Sequence, residues 1–316
     1  MKMMFIAPRY TGGIGGHAAL VAAKLKDYGF DVKLMHVSHI PVKNLKNPSF
    51  AILSSLKALF GNEDYDIVHA FNVPSAFAMR YTKAKKKVLS LHGVYADQVA
   101  VLHAGVVSKM VNLMEPNMLK WADKITTDSR AVQRAYKERL GFELEYLPAP
   151  LDISRFKDIP DVPKIGNQVA YIGRNSFEKG IDILRNIEPQ IKGKVVYCTD
   201  FPWKEAMTTL KASSLLVVPS RMESLPQVIK EAYYMRIPVV ATNVGGIPEL
   251  VIHDVTGILV PPNDPKKLAD AINLLLEDKK YARRLVDTAY DYLIKNMTWD
   301  VLLARYVEFY EKLIDS

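Results

Sequence analysis

Ser214-Leu215-Leu216-Val217-Val218-Pro219-Ser220-Arg221-Met222-Glu223-Ser224-Leu225-Pro226-Gln227-Val228-Ile229-Lys230-Glu231-Ala232 carries more information than any other stretch of this chain. Its opening run is continuous in apolar residues rather than alternating, the pattern of a parallel strand buried on both faces. Pro226 suits the first position of a helix, where its missing N–H has no partner to lose. Glu223 then falls on the loop and Glu231 inside the helix. Both carboxylates lie near the carboxyl edge of a sheet, where open α/β folds bind ligands. Ionised carboxylates only accept hydrogen bonds, which suits the paired hydroxyls of a sugar or a ribose. Two solvated surface glutamates would read the same way, so the surroundings decide.

Working outward, strand-like runs alternate with helix-like ones, which predicts doubly wound parallel sheets. In the first half strands are expected near 3–7, 32–37, 66–70, 87–91, 124–127 and 144–147. Helices are expected at 17–28, 49–60, 98–120 and 129–140. Leu147-Pro148-Ala149-Pro150-Leu151-Asp152 breaks the rhythm, with Pro160 and Pro163 beyond it, and reads as a linker. A second series follows near 168–173, 194–198, 214–218, 238–242 and 258–260. Asp264 and Pro265 mark the start of a helix to about 277. Trp299 to Ile314 presents a wide apolar face that needs a surface to cover.

The 316 residues are enough for two domains with cores of their own. Hydrophobic content of 49% and charged content of 24% are those of a globular protein, and no apolar run reaches membrane-spanning length. The start reads as a first strand rather than a signal peptide. The single cysteine, Cys198, allows neither an internal disulfide nor a cysteine-built zinc site, and on a strand it reads as a core residue. The cytosol is the expected compartment, including the cytoplasmic face of a membrane. Charge is uneven. Residues 1–150 hold 20 Lys+Arg against 12 Asp+Glu, a net of +8, whereas residues 151–316 hold 22 of each. The basic half, which includes Lys83, Lys85, Lys86 and Lys87, is expected to face something anionic, such as a membrane surface or a phosphorylated acceptor.

Three elements carry chemistry in the second half. Val169-Ala170-Tyr171-Ile172-Gly173-Arg174 is a strand ending in glycine and a cation, and Lys179-Gly180 follows at a helix start. A fixed guanidinium fork and a mobile ammonium beside a helix N-terminus can neutralise a diphosphate leaving group. After strand 238–242 comes Asn243-Val244-Gly245-Gly246-Ile247-Pro248-Glu249, whose glycines allow close backbone approach; Glu249 reads as a helix-dipole carboxylate. With the Glu223/Glu231 stretch, and the continuation Gly257-Ile258-Leu259-Val260-Pro261-Pro262-Asn263-Asp264, this series resembles the retaining glycosyltransferases of family GT4. The match is strongest over residues 168–263.

The resemblance implies the GT-B fold, two Rossmann-like doubly wound parallel-sheet domains with a cleft between them. They would be an acceptor-side domain over 1–150 and a nucleotide-sugar domain over 151–297. A helix over 298–316 would pack back on the first. It further implies that Arg174 and Lys179 hold the donor diphosphate and that Glu223 contacts the donor sugar, with the Ser224, Leu225 and Pro226 backbone nearby. Glu231 would bind the ribose hydroxyls. In the first half, Gly12-Gly13-Ile14-Gly15-Gly16-His17 resembles the family's glycine loop, with Gly15 and Gly16 nearest the donor. His92, after Val88-Leu89-Ser90-Leu91, resembles the family histidine at the reacting centre. The catalytic set so implied is His92, Arg174, Lys179 and Glu223. Ser129-Arg130 also matches a family position, where Ser129 serves equally as an N-cap.

Two departures stand out. The family usually follows its histidine with aspartate, and this chain has Gly93, which puts a neighbouring carboxylate in doubt. Between Cys198 and Ser214 the family's additional strand-helix-strand passage is missing, so the nucleobase cannot be carried over. Other signals are discounted. Asp64-Tyr65-Asp66 spells a metal-binding DxD pattern but precedes its strand and reads as a solvated turn. Gly13, Gly15 and Ala18 match a dinucleotide fingerprint, yet His36-Val37-Ser38-His39 lacks the acidic residue that should end the second strand. The apolar residues of helices 49–60 and 98–114 are expected to bury mostly against the sheet rather than to touch a membrane.

The expectation is therefore a metal-independent, retaining transferase with no cofactor. It would move a hexose from a UDP-, GDP- or ADP-sugar to a glycan or lipid-linked acceptor, with no nucleic-acid partner. A non-hydrolysing nucleotide-sugar epimerase and a non-catalytic nucleotide-sugar-binding subunit remain open.

Overall fold

The computed structural model describes residues 1–8, 13–37, 46–102 and 105–316. Gly12, Ser38, His39 and the side chains of Val101, Leu102, Val106, Val107 and Met110 lie outside the described residues. The chain divides into two compact units, Met1–Pro148 with Leu303–Ser316, and Ala149–Leu302.

The first unit holds six parallel strands: β1 (Lys2–Ile6), β2 (Asp31–Met35), β3 (Tyr65–Ala70), β4 (Ala84–Leu91), β5 (Lys124–Thr127) and β6 (Glu145–Tyr146), in the order β2-β1-β3-β4-β5-β6. Its early crossovers are α1 (Gly13–Tyr28), α2 (Lys46–Leu59) and α3 (Val73–Tyr81). The sequence pattern does not predict α3. Val73, Pro74, Ser75, Ala76, Ala78 and Met79 are all buried, so no polar face gives the helix a period. Asn72 caps it by accepting from the Ser75 amide at 2.9 Å. The single helix predicted over 98–120 is two, α4 (Tyr95–Leu102) and α5 (Val106–Leu119). Gly105, at φ +89°, precedes α5 in a conformation that suits glycine and ends any continuous helix. Then α6 (Arg130–Leu140) starts at Ser129, whose side chain accepts from the Val132 amide.

One expectation about α2 is overturned. Phe50 is buried, but Ile52, Leu53, Leu56, Leu59 and Phe60 are exposed, Phe60 to 76%. At this spacing they share one side of the helix. The core, reached through α3, needs only the face that carries Phe50, Ser54 and Ala58, and the opposite apolar face is left uncovered among the described residues.

Under the sheet's carboxyl edge runs a buried polar chain. His69 hydrogen-bonds through Nδ1 to the Tyr310 hydroxyl at 2.7 Å and through Nε2 to Ser90 Oγ at 2.6 Å. Ser90 Oγ continues to Thr126 Oγ1 at 2.6 Å. Tyr310 belongs to α13 (Trp299–Asp315), whose later turns are part of this unit. Burial, followed by repulsion from His92 and His17, holds the His69 imidazole well below its ordinary pKa, so it is neutral. Its folded pKa is thus below its unfolded one. The stability it contributes is complete above about pH 6.5 and is lost as pH falls through the unfolded value toward the folded one. Urea unfolding of the full chain should show up to about 1.4 kcal/mol lost per pH unit below pH 6.5 from this group. His69→Gln should flatten that slope by one proton, and an unchanged slope would reject the assignment.

The second unit holds β7 (Gln168–Ile172), β8 (Lys194–Cys198), β9 (Leu215–Val218), β10 (Val239–Thr242) and β11 (Ile258–Val260), all parallel, in the order β11-β10-β9-β7-β8. The helices are α7 (Ile181–Ile187), α8 (Trp203–Ala212), α9 (Gln227–Tyr234), α10 (Ile247–Leu250), α11 (Pro265–Glu277) and α12 (Lys279–Asn296). Strands β9 and β10 are buried at every position, as their unbroken apolar runs require. Asp264 accepts from the Lys267 amide at 3.0 Å and Pro265 opens α11. Cys198 is buried in the core, and burial pushes its thiol pKa up. Where the chain enters this unit, the wholly buried Lys230 donates to the Ala149 carbonyl at 2.5 Å, and the Leu151 amide bonds the Met297 carbonyl.

Candidate active site

The strand order places the loops after β7, β9 and β10 side by side at one edge of the second sheet. Two glycines let them touch. A Cβ on Gly180 would lie 1.9 Å from the Pro219 carbonyl oxygen, and one on Gly245 would lie 1.9 Å from that of Glu223. Both have positive φ, +66° and +53°. The β9 loop is therefore pressed from either side by backbone, and only glycine permits the approach.

Into this contact fall Lys179 and Glu223. Lys179 Nζ donates to Glu223 Oε1 at 2.6 Å, and Ser220 Oγ donates to the same oxygen at 3.0 Å. Their side chains are 23% and 10% exposed, so solvent screens the pair only in part. Arg221 fastens the loop from outside. It makes two 2.7 Å bonds to Asp182, donates to the Phe177 carbonyl and to Asn263 Oδ1, and stacks on the Phe177 ring at 3.9 Å. The Arg221 and Met222 amides both bond the Glu178 carbonyl. A planar guanidinium can bind carboxylate, carbonyl and ring at once, which lysine cannot.

The other residues expected in this unit take different positions. Arg174 is 69% exposed and pairs with Glu178 at 2.9 Å, four residues along the chain, rather than joining Lys179 on Glu223. Pro226 is the N-cap of α9, not its first helical residue, with ψ at 120°. Leu225 points into the core, so a ligand could meet only its backbone. Glu231 is 8% exposed and accepts from the Trp203 indole N–H at 2.8 Å. Burial raises its carboxyl pKa, while the Trp203 bond and the Arg155 charge oppose the rise.

In the first unit, Gly15 and Gly16 are not a free loop. They sit in the first turn of α1, where backbone N–H groups have no intrahelical acceptor. His92 follows β4 directly, and its Nδ1 meets Asp128 Oδ2 at 2.9 Å, the two side chains being 10% and 8% exposed. A carboxylate therefore stands beside His92 despite Gly93. Gly93 has φ +122°, a backbone state closed to aspartate, and the carboxylate comes instead from the end of the neighbouring strand β5. The His17 ring meets His92 edge-on at 5.7 Å. Asp66 of the discounted DxD accepts from the Lys2 amide and pairs with Lys85, at the amino edge of this sheet. A hollow of about 400 Å³ in this unit, lined in part by Lys124, Glu145, Arg305 and Lys312, opens at that same amino edge, away from His92.

The family model described as "Glycosyltransferase Family 4" matches residues 10–155, and "Glycosyl transferases group 1" matches residues 185–292. An uncharacterised glycosyltransferase of Methanocaldococcus jannaschii is 32% identical over 345 aligned positions, covering 97% of this chain and 96% of that protein. The chain belongs to glycosyltransferase family GT4. Among solved structures it is similar to sucrose-phosphate synthase from Thermosynechococcus elongatus, with TM-score 0.82 at 19% identity, over 100% and 99% of the two chains. The Anabaena protein HepE, solved in complex with UDP-glucose, gives TM-score 0.75 at 20% identity, over 99% and 100%. These neighbours establish the GT-B fold for this GT4 glycosyltransferase.

Three residues of this GT4 chain that the motifs left out hold expected residues or their loop in place, one in the first unit and two in the second. Asp128 adjoins the noted Ser129-Arg130 but lies 36 positions from His92, so only strand order reveals the pair. Arg221 lies inside the decisive stretch, yet nothing local names Asp182 as its partner. Trp203 sits in the stretch where the family pattern fails.

Proposed function

We propose that this GT4 glycosyltransferase moves a hexose from a nucleotide-diphosphate sugar to a glycan or lipid-linked acceptor, with retention at the anomeric carbon and without a catalytic metal. The Lys179–Glu223 pair carries this reading. It sets a cation suited to a diphosphate against a carboxylate suited to sugar hydroxyls, on a loop clamped by its neighbours. Support comes from HepE, which was solved with UDP-glucose bound. On donor binding Lys179 exchanges Glu223 for the diphosphate, and Glu223 becomes free to accept from the sugar. Arg174, exposed on a short tether, adds its charge to the same leaving group. The acceptor oxygen bonds C1 on the face the diphosphate vacates, the C1–O bond to phosphate breaks, and the acceptor proton passes to the departing phosphate oxygen. Stabilising the charge that develops on the diphosphate lowers the barrier. His92, oriented by Asp128, and the first-turn amides at Gly15 and Gly16 would meet the sugar.

The test is transfer from UDP-, GDP- and ADP-glucose followed by NMR of the new glycosidic bond. The α-configured donor should give an α-linked product at an EDTA-insensitive rate. A β-linked product or abolition by EDTA contradicts the reading. Epimerised donor in a reaction lacking acceptor would favour the epimerase alternative, and binding without turnover the non-catalytic one.

The acceptor side is proposed to meet an anionic bilayer from the cytosolic face. The exposed Ile52, Leu53, Leu56, Leu59 and Phe60 would enter the acyl boundary, and the basic first half would supply the attraction. No helix among the described residues is long and apolar enough to cross a membrane. Co-sedimentation with phosphatidylserine vesicles should fall in high salt and in Leu56→Asp/Phe60→Asp; binding indifferent to both contradicts the proposal.

A further inference from the structure

Trp203 opens α8, on the connection leaving β8, and its only polar atom is spent on Glu231 Oε1 at 2.8 Å. No hydrogen bond to Glu231 Oε2 is formed among the described residues. One carboxylate oxygen is thus fixed by the protein and the other is left for a ligand. The indole is itself fixed. The Arg155 guanidinium lies 4.0 Å from its ring centre, and the Phe156 ring meets it edge-on at 5.3 Å. An indole N–H can only donate, so it selects the acceptor state of the carboxyl group on that side. Phe156 packs in turn on Tyr234 at 4.6 Å, which ties the indole to the helix bearing Glu231.

We infer that Trp203 is a positioning and specificity-determining residue for the ribose of the donor, holding Glu231 so that Oε2 accepts from the ribose hydroxyls. This rests on the reading of Glu231 as the ribose carboxylate and adds to it the residue that makes the carboxylate selective. Burial favours the neutral carboxyl, which would be a poorer acceptor; the indole donor favours the ionised form. A carboxylate ordered before binding discriminates better than one ordered by the ligand, because the ordering cost is met in advance.

The test compares the tightest binder among UDP, GDP and ADP with its 2′,3′-dideoxy form, by calorimetry, on the full chain and three variants. The wild type should prefer the ribonucleotide by ~10–100-fold, the range of a charge-assisted hydrogen bond. Trp203→Phe keeps the ring and removes the N–H. It should weaken the ribonucleotide ~10-fold, leave the dideoxy form within about twofold, and move the acid limb of ribonucleotide binding to higher pH. Added to Glu231→Gln, it should change nothing further. If Trp203→Phe keeps the wild-type preference, or weakens both nucleotides equally, the inference is overturned while the ribose reading of Glu231 stands. A wild type that binds both forms alike overturns that reading and the inference with it. Binding of none of the three removes the nucleotide reading altogether. The Trp203 indole ¹⁵N–¹H resonance supplies a check independent of variant folding. It should shift on addition of the ribonucleotide and much less with the dideoxy form; equal shifts count against the inference.

Discussion

Lys179→Met is expected to lower kcat/KM for the preferred nucleotide sugar by ~10²–10³-fold, most of it in kcat. Methionine keeps much of the apolar stem and removes the ammonium with its charge and donors. The ammonium is bonded to Glu223 at 2.6 Å, so under the proposed function ground-state binding of the diphosphate would displace an existing bond. The transition state carries more charge on the leaving group and repays that exchange better, which is why the loss falls on turnover. Arg174→Met should cost less, about tenfold, because its guanidinium is 69% exposed and starts from Glu178. Steady-state kinetics on the two variants check the order. Equal losses, or a Lys179 loss confined to KM, would show that the two cations do not divide the work as described.

Gly245→Ala is expected to damage the second unit with a single methyl group. At φ +53° an alanine carries a left-handed penalty of about 1–2 kcal/mol. Its Cβ would lie 1.9 Å from the Glu223 carbonyl oxygen, and relieving such an overlap costs a further ~1–3 kcal/mol. Together these lower the melting temperature of that unit by ~5–15 °C. Transfer should fall as well, since the atom displaced belongs to the backbone of Glu223. Gly166→Ala is the control: its Cβ meets nothing within 4 Å, and it should melt with the wild type. A Gly245→Ala protein with native melting and native turnover would mean that the β10 loop does not press on Glu223.

What the amino-acid sequence made legible follows from how each feature is encoded. Buried parallel strands announce themselves, since Leu215–Val218 and Val239–Thr242 must be apolar at every position. Helix α3 escaped because it too is buried on most sides and so shows no period; Asn72 and Pro74 were the signals left to find it. Gly105 hid the break between α4 and α5 inside one apolar run. Lys179, Glu223 and Glu231 were legible as residue types at a strand edge. Distant partners were not, because Trp203 is joined to Glu231 by loop contact and Asp128 to His92 by sheet order rather than by spacing. Gly93 shows the limit most clearly. Read alone it removed a carboxylate, and read with the strand beside it the carboxylate returns as Asp128.

The most direct measurement is a crystal structure of this chain with its intact nucleotide sugar bound. The account predicts that the Lys179–Glu223 bond is broken, with the Lys179 ammonium within ~3 Å of a diphosphate oxygen and Glu223 accepting from a sugar hydroxyl. A donor bound with that bond intact, and its diphosphate away from Lys179, would contradict it.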